Sequence, residues 1–224
     1  EGFTSYYDDL LLRRAGLIDD QKYLNLVAKT INQVLQTPGR LVHSLASSSF
    51  EAWTKYYRMD ENSVNSTVSY YTKGALVALC LDLSLRTAKA GASLGDVMRG
   101  LWTQSHSHGN DGAITEQDVL DALQAVSGRS FAPEIKAWVH GTKDLPLSQL
   151  LATAGIETVL TKAPLAQQLG LRLDAASGSI KIKSVLTGTL AAKAGLMTVD
   201  CTIQSDRQTN GPVGSSRPRY GLHN

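Results

Sequence analysis

Apolar positions recur at helical spacing through the first two thirds of the chain. Phe3, Tyr6, Tyr7, Leu10 and Leu11 follow the i, i+3, i+4, i+7, i+8 spacing of one buried helix face. Arg13 and Arg14 suit the negative end of that helix, and Gly16 stops it. Asp19 or Asp20 caps a second helix carrying Tyr23, Leu24, Val27, Ile31, Val34 and Leu35, closed by Pro38 and Gly39. A looser stretch runs from Arg40 to about Ser66. From Ser69 to about Lys89 the pattern is apolar on most sides, through Ala75, Leu76, Leu79, Cys80 and Leu83, which describes a helix buried within a bundle. Shorter helices follow: Leu94 to Gln104 capped by Ser93, one through Val126 with Thr115 and Asp118 as its capping box, Pro133 to Val139, and Pro146 to Leu151.

The character changes after Gly155. Thr158 to Leu160, Leu169 to Leu173 and Ser179 to Leu186 are short alternating or β-branched runs and read as strands. Thr189 to Gly195 reads as a short alanine-rich helix. The sequence therefore divides into a helical unit over residues 1–155, a β-containing unit over 156–200, and a Ser-, Gly-, Pro- and Arg-rich tail over 201–224 expected to be disordered.

The chain has 224 residues, 42% apolar and 19% charged, ordinary for a globular protein of one or two domains. The formal net charge is +2. Arg207, Arg217 and Arg219 against Asp206 place all of it in the tail, so the body is neutral. Nucleic-acid binding needs clustered Lys and Arg, so no nucleic-acid partner is expected. No apolar run reaches membrane-spanning length; Asp82 interrupts the best candidate, Gly74 to Leu85. The two cysteines, Cys80 and Cys201, read as free thiols, which leaves the compartment open between cytoplasm and periplasm.

The sequence contains no HExxH zinc helix, no phosphate-binding glycine loop and no Gly-x-Ser-x-Gly elbow. Asn110-Asp111-Gly112 resembles the middle of a calcium-binding EF-hand loop, but that register puts Ser107, Gly109 and Asp118 at ligand positions, too few hard oxygens for calcium. His106 and His108 supply two ligands where zinc wants three or four.

Two segments are more specific. Glu1-Gly2-Phe3-Thr4-Ser5-Tyr6-Tyr7 resembles the element that supplies the third zinc ligand in gluzincin metallopeptidases, a Glu at the start of a helix. Beginning about 70 residues on, Tyr70-Tyr71-Thr72-Lys73-Gly74-Ala75 resembles the Tyr-x-Lys-Gly-Ala element of the aminopeptidase gluzincins, with Tyr71 three positions before Gly74. Their order and spacing, with Leu81-Asp82-Leu83 and Arg86 following, resemble the glycyl-aminopeptidase family from Glu1 to about Glu157. Leu169-Gly170-Leu171, Ile180 to Leu186 and Leu190-Ala191-Ala192-Lys193-Ala194-Gly195-Leu196 resemble the first part of a bacterial PDZ domain, which that family carries after its catalytic domain.

The resemblance implies a mainly α fold: the helical C-terminal half of a thermolysin-like metallopeptidase domain, followed by a partial PDZ-like domain. It implies a zinc aminopeptidase that removes Gly and Ala from peptide N-termini, with Glu1 holding Zn2+ and Tyr71 stabilising the tetrahedral intermediate. The family's β-domain, HExxH helix and amine-binding acids would precede Glu1. The expectation is therefore an internal fragment, inactive and without tight zinc by itself. From Met197-Thr198-Val199-Asp200 onward the sequence leaves the family pattern, so the tail is expected to be out of frame or otherwise non-native. The alternatives are a non-catalytic adaptor that binds peptide C-termini through the PDZ-like unit and a scaffold that has lost catalysis.

Overall fold

A computed structural model describes residues 1–107, 113–176, 179–197 and 202–204. The fold is mainly helical, and a small antiparallel sheet follows the helices. Helix α5 (Tyr70–Ala88) is the centre of the helical part. Leu76, Val77, Ala78, Leu79, Cys80, Leu81, Leu83 and Leu85 are all buried, and together they cover every face of that helix. Ser69 starts it by accepting the backbone N–H of Thr72. Burial pushes the Cys80 thiol up to about 12, so it is an inert core group.

Around α5 pack α1 (Gly2–Arg14), α2 (Asp20–Leu35), α3 (Leu45–Phe50), α6 (Leu94–Ser107), α7 (Glu116–Ser127) and α9 (Leu147–Thr153). The short α4 (Ser63–Ser66) and α8 (Ala132–Trp138) complete the unit. Asp19 caps α2, and Thr115 with Asp118 forms the capping box of α7, as the sequence predicts. The apolar face of α1 is largely as expected: Tyr6 is buried and Phe3, Tyr7 and Leu10 pack on the core, while Leu11 faces outward.

The start of α6 differs from expectation. The sequence assigns its cap to Ser93, whose hydroxyl instead donates to Asp96. The Leu94 N–H donates to the buried carboxylate of Asp82, at 2.6 Å. The same carboxylate accepts from the Tyr6 hydroxyl at 2.9 Å and from Arg86 Nε at 2.8 Å. One side chain of α5 thus fixes α1 and α6 together.

The stretch read as loose is structured. A 3-10 turn (Pro38–Leu41), α3, a π-helix (Ala52–Tyr56) and α4 follow one another. Helical periodicity could not reveal them, because each lasts less than two turns.

Beyond residue 156 the sequence predicts a strand at Thr158 to Leu160. The structure has none there: the segment lacks regular hydrogen bonding and Leu160 is 96% exposed. Its β-branched residues meet no partner strand, and strand preference alone does not form a strand. Helix α10 (Leu165–Leu169) leads into β1 (Leu171–Ala176), which pairs antiparallel with β2 (Ser179–Val185), with a bulge between Arg172 and Leu173. The one-turn α11 (Leu190–Lys193) follows. Then β3 (Thr202–Gln204) pairs antiparallel with the Ser179–Lys181 end of β2. These three residues lie in the stretch expected to be tail, so the sheet extends into it; the rest of 201–224 lies outside the described residues.

Asn65 joins the two parts. Its amide donates to the Val185 carbonyl and accepts the Thr187 N–H, both at 2.9 Å. Arg172 Nη2 reaches the Gln36 carbonyl at 3.1 Å and the Thr37 hydroxyl at 3.0 Å.

Candidate active site

Helices α1 and α5 cross at two glycines. A Cβ placed on Gly2 would lie 2.7 Å from the Gly74 Cα, closer than non-bonded carbons approach. This contact brings Glu1, at the head of α1, to the first turn of α5. Glu1, Gly2 and Phe3 line one side of a groove of about 650 Å³, and Tyr70 and Gly74 line another. Its floor is apolar, through Val77, Leu81, Met98 and Leu101.

Tyr71 sits one residue further along α5, half-buried, with its hydroxyl 3.0 Å from the Tyr57 hydroxyl. Tyr57 also reaches the Tyr70 hydroxyl, at 3.1 Å. The rings of Tyr70 and Tyr71 are 4.3 Å apart. Tyr56 packs on both, and the Ser69 hydroxyl donates to it at 3.4 Å. Hydrogen bonds from Tyr70 and then Tyr71 pull the Tyr57 phenol below its ordinary value. The Tyr71 phenol moves up, chiefly because of its bond to Tyr57, and the Glu1 carboxylate pushes it the same way. Tyr71 therefore keeps its proton above the pH at which a free tyrosine ionises.

The π-helix that ends at Tyr56 is anchored through the residue before it, Glu51. His43, buried, faces the Thr67 hydroxyl through Nδ1 at 2.8 Å and Glu51 through Nε2 at 3.2 Å. Burial lowers the His43 pKa, and the nearby Lys55 lowers it further. Lys55 in turn pairs with Glu51. The Ser48 hydroxyl donates to the Val68 carbonyl, which ties α3 to the segment entering α5.

Of the sequence-predicted site residues, Glu1 and Tyr71 are both brought to the first turn of α5. Lys73, in the same motif as Tyr71, does not line the groove: the residue is 2% exposed, with its ammonium 3.5 Å from the Arg40 carbonyl. Burial lowers its pKa, while Asp144, held by Arg40 in a two-point ion pair, opposes that shift. His106 stacks on Trp102 and bonds its carbonyl. His108 and the Asn110-Asp111-Gly112 segment lie outside the described residues. The aromatic run Phe50, Trp53, Tyr56 and Tyr57 escaped the sequence reading. Its i, i+3, i+6, i+7 spacing was the available signal, lost in a stretch without longer periodicity.

Residues 1–77, which contain both glycines, Glu1 and the tyrosines, match the family model for M61 glycyl aminopeptidase. The likeness to M61 glycyl aminopeptidases covers these 77 of the chain's 224 residues. Comparison with curated proteins gives no match. The M61 segment ends inside α5, just past the Gly2–Gly74 crossing.

Zinc in a catalytic site takes three protein ligands and leaves one position open. The groove lining has two carboxylates, Glu1 and Glu116, and Glu116 is taken by His140 Nε2 at 2.8 Å. Among the described residues no three His, Cys, Asp or Glu side chains come together as a metal site. Among them, too, no helix is long and apolar enough to cross a membrane.

Proposed function

We propose that residues 1–155 are the helical C-terminal part of the catalytic domain of a zinc aminopeptidase that removes Gly and Ala from peptide N-termini. The observation that supports this reading is the Gly2–Gly74 crossing, which joins the Glu1 end of α1 to the first turn of α5, where Tyr71 sits. Glu1 is the one zinc ligand assigned to this chain, and the others come from outside it. Tyr71 remains a neutral donor and gives its hydrogen bond to the oxyanion of the tetrahedral intermediate, an interaction worth about 3 kcal/mol. Without an HExxH helix the chain alone cleaves no peptide and takes up zinc no better than a single carboxylate does.

The adaptor reading has residues 156–200 capturing peptide C-termini by strand addition, which uses a free strand edge beside a long helix. Here β1 and β3 keep their outer edges, but α11, the helix that follows β2, is only one turn long. The groove of α1, α3 and α5 therefore carries the function proposed.

The test is to read the encoding gene upstream of Glu1 and express the whole polypeptide. An upstream HExxH, one equivalent of bound zinc and hydrolysis of glycyl and alanyl p-nitroanilides are expected. Glu1→Gln then loses zinc, whereas Tyr71→Phe keeps zinc and loses roughly 10²- to 10³-fold in kcat. A polypeptide with no HExxH and no zinc overturns the reading.

A further inference from the structure

We infer that Tyr57 is a positioning residue for Tyr71, holding its hydroxyl in place until a ligand oxygen takes over the hydrogen bond. What Tyr71 does for catalysis rests on the aminopeptidase reading; how Tyr57 holds it rests on geometry alone.

Tyr57 immediately follows the π-helix Ala52–Tyr56, a widened turn of the kind often found at functional sites. Its ring is clasped by Trp53 at 5.2 Å and Tyr56 at 5.4 Å, so the side chain has little freedom. Its oxygen lies within 3.1 Å of both Tyr70 and Tyr71. Yet Tyr57 is 53% exposed and adds nothing to the buried core. A residue retained for stability would bury its ring; this one presents a single oxygen to two hydroxyls at the groove.

The electrostatics fit this role. The groups facing Tyr57 and Tyr71 are Tyr56, Tyr70 and the Glu1 carboxylate. Of the two bonded phenols, Tyr57 gives up its proton more readily and Tyr71 retains its own. At rest the Tyr71 O–H is satisfied by the Tyr57 oxygen. When an oxyanion forms in the groove, the O–H turns about its C–O bond to the new acceptor, with no movement of heavy atoms. Such prior placement of the donor is what makes oxyanion stabilisation effective.

The chain as it stands can be tested, without activity, by nitration with tetranitromethane, which attacks phenolates, located by peptide mass spectrometry. Absorbance titration of the phenols near 295 nm accompanies it. In the unaltered chain nitration falls on Tyr57 before Tyr71. In Tyr57→Phe, Tyr71 ionises closer to the ordinary tyrosine value of about 10 and is nitrated several-fold faster. Tyr70→Phe, which leaves the Tyr57–Tyr71 bond in place, serves as the control. Circular dichroism confirms that both variants stay helical. Unchanged Tyr71 reactivity in Tyr57→Phe overturns the inference. In the whole polypeptide, Tyr57→Phe lowers kcat about tenfold with KM within twofold, and shifts the alkaline limb of the rate profile to lower pH; an unchanged kcat also overturns it. If that polypeptide lacks zinc and activity, the aminopeptidase reading falls, and the nitration result still decides whether Tyr57 holds Tyr71.

Discussion

Gly2 and Gly74 touch backbone to backbone, with no room for a methyl group on either. Each belongs to one of the two short motifs that stand out in the sequence, Glu-Gly-Phe and Tyr-x-Lys-Gly-Ala. The glycines are the means by which the motifs meet: they let the helices cross at contact distance, and Glu1 is carried to the first turn of α5, which bears Tyr71.

Gly2→Ala and Gly74→Ala are each expected to push α1 off α5, at about 1–3 kcal/mol, the usual range for overpacking. Gly100 lies in α6 with open space around it and no unusual backbone angle, so Gly100→Ala is expected to stabilise by about 0.5–1 kcal/mol. Urea unfolding of the three variants should separate them by sign. Equal destabilisation would mean that helix contact does not distinguish these glycines.

Much of this arrangement could be read from the amino acids. The α5 pattern from Tyr70 to Ala88 and the Thr115–Asp118 box are local signals, and they appear where the sequence places them. The two motifs could be recognised as resemblances before any geometry was known. The relations between distant residues were not legible. Nothing near Ser93 says that its expected role passes to Asp82, because the choice depends on how α5 and α6 pack. Nothing near Thr158 says that no partner strand exists. The Tyr57 contacts also arise only once a π-helical turn gathers residues that look scattered in the chain.

His43 makes stability depend on pH. Its folded pKa is depressed, so between that value and the unfolded value of about 6.5 the unfolded chain binds the proton that the fold refuses. Stability is therefore expected to fall as pH drops below about 6.5 and to level off once the folded pKa is passed. The Glu51 carboxylate, whose pKa is lowered chiefly by its bond to Lys55, adds a separate loss at more acid pH. Urea midpoints at several pH values should show a shallower slope between about pH 5 and 7 for His43→Gln. An unaltered slope would assign the dependence to other groups.

Asn65 stands in for a neighbouring strand at the end of β2. Asn65→Ala strands the Val185 carbonyl and the Thr187 N–H together and is expected to cost about 1–2 kcal/mol. That cost should fall on the sheet rather than on the helices. Limited proteolysis should cut residues 156–164 faster in Asn65→Ala, and faster again with Arg172→Ala, while the helical circular dichroism holds. Simultaneous loss of helicity would show that the sheet supports the helical unit.

The three bonds to Asp82 also set an order of assembly. The partners within α5 and α6 lie 4 and 12 residues away, but Tyr6 is separated from Asp82 by 76. Helix α1 leaves the ribosome before α5 and is only 13 residues long, too short to persist in water without a partner. At ~5–20 residues per second it waits roughly 4–15 s for Asp82 to be synthesised. Among the described residues that line the groove, Glu1 is thus the earliest made and among the last to be placed.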